Sequence, residues 1–194
     1  MSIPHTILTA GTDGHAALWS MPTQEELMLY RDPITIHQSS SKVLSYISHP
    51  NHGHFIMSGG DDGSLAFFRT CSIDSASAGW KNRPTIVVRT HASAVTACAM
   101  IARGRRIFVL TSGNDQWVRL WEVSVTDAMS YDKAPCDEQS DSMEIKRLGR
   151  VKTSVADVSS MAILTSPNED DASKVLICGV GMEIMTVQWD DVST

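Results

Sequence analysis

The chain writes one phrase three times. Leu8–Trp19 reads LTAGTDGHAALW, Met57–Phe68 reads MSGGDDGSLAFF, and Leu110–Trp121 reads LTSGNDQWVRLW. Each is a short apolar or hydroxyl-bearing run, a glycine, a turn centred on an Asp, and a second run that closes on an aromatic. The Asp residues fall at Asp13, Asp62 and Asp115, and the aromatic follows six positions later, at Trp19, Phe68 and Trp121. In the third phrase, Val109–Gly113 and Trp117–Val123 are rich in β-branched and aromatic residues and flank Asn114-Asp115-Gln116. That pattern predicts a hairpin with a tight turn. An Asp in the turn tolerates an unusual backbone conformation and accepts hydrogen bonds from nearby N–H groups.

A hairpin repeated at a fixed interval restricts the fold further. The turn Asp residues are 49 and 53 positions apart, a little over the roughly 40–45 residues of a four-stranded propeller blade. The expected class is all-β, a β-propeller of about three and a half blades that forms the C-terminal part of a larger propeller. The units run approximately over 5–36, 37–90, 91–149 and 150–189, with mobile inserts at 71–83 and 124–143. Among the predicted strands are one over 26–36, a pair over 117–123 and 144–149 flanking the second insert, and two over 174–179 and 182–187. An open arc would leave strand edges unpaired, so further strands of a longer protein, or another copy, are expected to complete it.

Upstream of the third turn, His91 precedes Asp115 by 24 positions, and His91-Ala-Ser-Ala-Val95 resembles the corner that opens a WD-repeat blade. By that resemblance the blade's buried hydrogen-bonded chain is His91, Ser112, Asp115 and Trp121. The second repeat keeps His37, Asp62 and Phe68 with Gly59 at the hydroxyl position; the first keeps Asp13 and Trp19 with Ala10 there. A fourth unit, Lys174–Val187, has two strands and Gly181 where the Asp would stand. Mutual satisfaction of a buried imidazole, hydroxyl and carboxylate is a structural role. It explains the spacing completely, which leaves no need for a Ser/His/Asp catalytic set.

Composition excludes several classes. No run of eighteen apolar residues exists, so no membrane span is expected, and Met1–Gly14 lacks the design of a signal peptide. The cysteines Cys71, Cys98, Cys136 and Cys178 are scattered and no N-x-S/T sequon occurs, which points to a reducing, cytoplasmic setting. A net charge of −6 opposes a broad basic face for nucleic acid. Two local basic clusters stand out, Arg103-Gly104-Arg105-Arg106 and Lys146, Arg147, Arg150 and Lys152. Arg103, Arg105 and Arg106 are the candidates for an RNA or partner contact. His49, His52 and His54 lack a Cys or carboxylate at ligand spacing. No nucleotide, nucleophile-elbow or metal motif is present. No catalytic residue, cofactor, metal or small-molecule substrate is expected.

The C-terminal stretch is more specific. Thr153-Ser-Val-Ala-Asp-Val158 followed by Gly179-Val-Gly-Met-Glu-Ile184 resembles the last blade of the large WD-repeat accessory subunit of the FtsJ-like tRNA ribose methyltransferase. His37-Gln38 and Ser112–Trp121 fit its preceding blades. In that family the enzyme subunit binds S-adenosylmethionine and performs the chemistry, and the propeller positions the anticodon loop for methylation of the wobble 2′-OH. The resemblance implies a non-catalytic protein that binds a methyltransferase and meets tRNA directly or through the complex. The alternative is a generic WD40 interaction scaffold of another intracellular assembly.

Overall fold

The computed structural model describes residues 5–23, 26–29, 34–49, 53–70, 85–87, 89–104, 106–126, 142–164 and 172–189. Among them there are strands and turns but no helix, in four sheets whose paired strands are all antiparallel. The first sheet joins β1 (His5–Ala10), β2 (His15–Thr23), β3 (Glu26–Leu29) and β4 (Ile34–Thr35). The second runs in order through β5 (Ser41–His49), β6 (Gly53–Gly60), β7 (Leu65–Thr70) and β8 (Thr85–Val87). The third runs through β9 (Val95–Arg103), β10 (Arg106–Gly113), β11 (Trp117–Thr126) and β12 (Ser142–Lys152). The fourth pairs β13 (Ala156–Leu164) with β14 (Ala172–Gln188). Among the opening strands, β9 neighbours both β5 and β13, so successive sheets fan out from a common side, as the blades of a propeller do.

Strand β14 cannot be straight. Trp189 Nε1 donates to Ser173 Oγ at 3.1 Å, although sixteen residues of extended chain would span about 50 Å. The chain therefore reverses within the segment, where Gly181 takes φ 108°. The two strands expected over 174–179 and 182–187 are the arms of this reversal. Within the strand expected over 26–36, β3 and β4 both pair with β2, and residues 30–33 lie outside the described residues.

The second insert is shorter than expected. Ser124, Val125 and Thr126 pair with Glu144, Met143 and Ser142, extending the β11–β12 hairpin into the range 124–143. Met143 and Ile145 pack on the core beside Val123, and this alternation carries the pairing outward. Strand β12 also continues past 149 to Lys152. The remainder of that insert, and all of 71–83, lie outside the described residues.

Three apolar cores lie between successive sheets. Ile56 and Phe68 meet Ala16 and Ile36 of the first unit; Phe55, Met57, Leu65 and Phe67 meet Val95, Val109, Trp121 and Val123; Phe108, Leu110 and Val118 meet Val158, Val175, Ile177 and Trp189. The second and third sheets are thus apolar on both faces, as stacking between neighbours requires.

The residue after each turn Asp links one sheet to the next. Gly14 O accepts from Ile36 and His37 N–H, Gly63 O from Thr90 and His91 N–H, and Gln116 O from Thr153 N–H, at 2.8–3.1 Å. All three acceptors adopt positive φ (76°, 73° and 59°), the region that glycine enters without steric cost. A Cβ on Gly63 would collide with the His91 carbonyl. Gly63→Ala is therefore expected to lower stability by about 2–3 kcal/mol through backbone strain, read as a lower chemical-denaturation midpoint with an unchanged m-value.

Candidate functional site

The polar chain inside the third sheet runs through Thr111 and not Ser112. Trp121 Nε1 donates to Thr111 Oγ1 at 2.9 Å, and Thr111 Oγ1 lies 3.0 Å from His91 Nε2. His91 Nδ1 is 3.0 Å from Asp115 Oδ1. One assignment of protons satisfies every member: indole to hydroxyl, hydroxyl to Nε2, and Nδ1–H to carboxylate. Ser112 Oγ is buried with no hydrogen-bond partner among the described residues. The expected position was one residue off, and in a strand one residue is the opposite face. The same correction applies to the other repeats: the hydroxyl stands four residues before the Asp, at Thr9, Ser58 and Thr111.

In the first sheet, Trp19 Nε1 donates to Thr9 Oγ1 at 2.8 Å, while Asp13 is exposed and accepts only locally, from His15 N–H at 3.1 Å. The second sheet rebuilds the chain without an indole. Phe68 has no N–H to offer, and Ser41 Oγ instead meets Ser58 Oγ at 2.7 Å. Ser58 Oγ is 3.0 Å from His37 Nε2, His37 Nδ1 is 2.9 Å from Ser64 Oγ, and Ser64 Oγ donates to Asp62 Oδ1 at 2.5 Å. The His37 ring nitrogen and Asp62 are 3.7 Å apart, so Ser64 bridges them.

A guanidinium joins the third chain. Arg119 is buried, donates from Nη1 to Asp115 Oδ2 at 2.9 Å and lies against His91 Nδ1. Burial pushes the Asp115 carboxyl up, but hydrogen bonds from His91 and the N–H groups of Ala92 and Trp117 outweigh it and hold the group at about 2. Burial holds both His37 and His91 below the ordinary imidazole value, against the pull of Asp62 and Asp115 respectively. These imidazoles are neutral structural links.

The fourth sheet has no His or Asp at these positions and uses Glu183. Its Oε2 accepts from Thr153 Oγ1 at 2.6 Å, from Ser154 N–H at 2.8 Å and from Ser154 Oγ at 3.0 Å. Asp115 Oδ2 makes the corresponding contact with Ala92 N–H at 3.1 Å. Thr153-Ser154 thus replaces His91-Ala92, and Glu183 replaces the turn Asp that Gly181 appeared to omit. The hydrogen bond from Thr153 is the main reason the Glu183 carboxyl sits below its ordinary value. The sequence signal was an acidic residue two positions beyond the turn glycine.

The basic loop is differently employed from the expectation. Arg103 Nη2 donates to Ser173 Oγ at 2.9 Å and its guanidinium lies 5.4 Å from the Trp189 ring, tying the third sheet to the fourth. Arg106 lies 5.8 Å from the Phe108 ring and 3.7 Å from Glu122. Arg105 lies outside the described residues. The second cluster is freer: Lys146, Arg147, Arg150 and Lys152 are all exposed on β12, the edge strand of the third sheet, with Arg150 4.4 Å over Trp117. His49 is buried with Nε2 2.9 Å from Gly104 O, and His54 stacks on exposed Tyr46. No group of three metal-ligating side chains occurs among the described residues, and no helix is long and apolar enough to cross a membrane.

Two measurements check the chain of contacts. Thr111→Val leaves the His91 and Trp121 nitrogens unpaired and is expected to cost about 2–3 kcal/mol, whereas Ser112→Ala removes an unpaired hydroxyl and costs almost nothing. Equal losses in chemical denaturation would contradict this assignment. Both imidazoles bind protons more readily in the unfolded chain, so stability falls as pH drops below about 6.5, and Asp115 adds a further loss between about 4 and 2. The melting temperature is expected to be lower at about pH 5 than at neutral pH, with a smaller difference in His91→Gln.

Residues 82–122 match the WD domain, G-beta repeat. No curated protein matches the sequence. Among solved structures, the chain is similar to Saccharomyces cerevisiae Sqt1, a WD40 protein, with a TM-score of 0.61 and 15% identity. The similarity covers 94% of this chain and 42% of that one. The protein is all-β, carries a WD40 repeat and shares the fold of a WD40 propeller protein.

Proposed function

We propose that this chain is a non-catalytic WD-repeat scaffold and, within that class, an accessory subunit that positions tRNA for an FtsJ-like methyltransferase acting on the wobble 2′-OH. The observation that carries the scaffold reading is the fate of the reactive groups. His37, His91, Asp62 and Asp115 are all engaged in blade-internal chains. What the molecule offers a partner is rigid surface.

For the finer reading, support comes from the stretch whose sequence resembles that family. Its two halves, Thr153-Ser154 and Glu183, are joined by three hydrogen bonds, so they act as one structural device. A rigid platform that holds a flexible anticodon loop beside a small enzyme raises the rate by orientation. The exposed cations of β12 supply a phosphate-facing stripe, taking the place of the Arg103 cluster.

The test reconstitutes the chain with an FtsJ-like methyltransferase and unmodified tRNA, and reads wobble 2′-O-methylation by mass spectrometry. Methylation is expected to rise with the chain present, and a tagged chain is expected to retain the enzyme. The triple variant Lys146→Ala, Arg147→Ala, Lys152→Ala is expected to bind tRNA more weakly, with a salt slope shallower by about 2–3 and an unchanged melting temperature. Equal methylation with and without the chain, and no retention of the enzyme, would overturn the tRNA reading and leave the scaffold alone.

A further inference from the structure

The cations of β12 do not lie where a regular strand would put them. Trp121 pairs with Arg147 and Leu120 with Gly149, so Leu148 is an extra residue between two rungs of the ladder. Beyond this bulge Arg150 stands opposite Arg119 and Lys152 opposite Trp117. Trp117, Arg119 and Trp121 share one face of β11, since side chains alternate along a strand. Arg147, Arg150 and Lys152 therefore share that face too, whereas an unbulged strand would send Arg147 and Arg150 to opposite sides. Lys146 is left on the other face, opposite Glu122, together with Leu148, which packs on the core between the third and fourth sheets.

The three cations form a row along the edge of the sheet. Their partners on β11 are two residues apart, which spaces them by about 7 Å, close to the separation of successive phosphates along an extended nucleic acid strand. All three are exposed, and among the described residues none is in an ion pair. Arg119, which faces Arg150, is already neutralised by Asp115 at 2.9 Å. Arg150 is held over the Trp117 ring at 4.4 Å from its centroid. That contact orders the guanidinium before a ligand arrives and lowers the entropy lost on binding.

We propose that this row binds the sugar–phosphate backbone of an unpaired RNA strand, with Arg147, Arg150 and Lys152 on three successive phosphates. The inference rests on the RNA-facing role of β12 given above and deepens it by naming the residues and the form of the RNA. An acidic peptide offers the same charge, but to add as a further strand it needs a regular ladder. The bulge at Leu148 interrupts the edge at its centre, and bulges and edge lysines are features that block strand addition. A nucleic acid strand takes up the charges without a ladder. A single strand follows a straight row of cations, while the backbone of a duplex winds away from it.

Fluorescence anisotropy with a labelled oligouridine tests this. Log affinity is expected to fall against log salt with a slope of about −2, near 0.7 per phosphate. Arg147→Ala, Arg150→Ala and Lys152→Ala are each expected to weaken binding and flatten the slope by about 0.7. Lys146→Ala removes one charge from the opposite face and is expected to leave the slope unchanged. An equal effect of Lys146→Ala and Arg150→Ala, equal affinity for an adenosine–uridine duplex, or tighter binding of polyglutamate than of oligouridine would each overturn the proposal. Melting curves verify that the variants fold. Should one of them not, ultraviolet crosslinking of the wild type to oligouridine decides: crosslinks at Trp117 or on β12 support the row, and crosslinks confined to other strands refute it. Oligouridine binding with this pattern but without stimulated methylation keeps the inference and removes the methyltransferase reading. Stimulated methylation without oligouridine binding does the reverse.

Discussion

A single backbone hydrogen bond, repeated from sheet to sheet, organises the rest of this structure. The carbonyl after each turn Asp points out of its own hairpin because that residue has positive φ, and it receives the N–H at the corner of the next unit. The contact fixes where each following sheet starts and which face it turns back. Two of the three acceptors are glycines, and Gln116 takes the same conformation at the cost of local strain. Once the corner is held there, the opening strands fall beside one another and apolar faces meet across each seam.

The polar chains follow from that placement. A corner brought over the preceding hairpin turn would bury its N–H groups and its imidazole, and buried polar groups demand partners. Four sheets meet this demand in four ways. The third uses indole, hydroxyl, imidazole and carboxylate with a guanidinium beside them. The second replaces the indole by Ser41 and inserts Ser64. The fourth discards the imidazole and lets Glu183 hold the corner directly, while the first keeps only the hydroxyl and the indole. Different residues are thus interchangeable where they satisfy the same donors and acceptors. All these groups are spent on internal bonds.

Much of this was legible in the residues, within limits set by geometry. The Asp-to-aromatic interval of six located the hairpins, because both ends of that interval are fixed by a tight turn. The hydroxyl was misplaced at Ser112, Gly59 and Ala10, since adjacent small residues look alike in sequence yet point to opposite faces of a strand. Glu183 escaped notice because the acid stands two residues beyond Gly181, where the other turns place it one before their positive-φ residue. The roles of Arg103 and Trp189 were out of reach, for they meet across 86 residues of chain.

By itself the sequence determined the all-β class, the repeat, and the turn-and-corner grammar of each blade, because these rest on contacts within one hairpin or between one hairpin and the next corner. Only the tertiary structure decided which hydroxyl completes each polar chain, which arginines are consumed between sheets, and which cations share one face of β12. Those depend on the side to which a residue points and on what the neighbouring sheet places there, quantities that a linear pattern of period two cannot resolve.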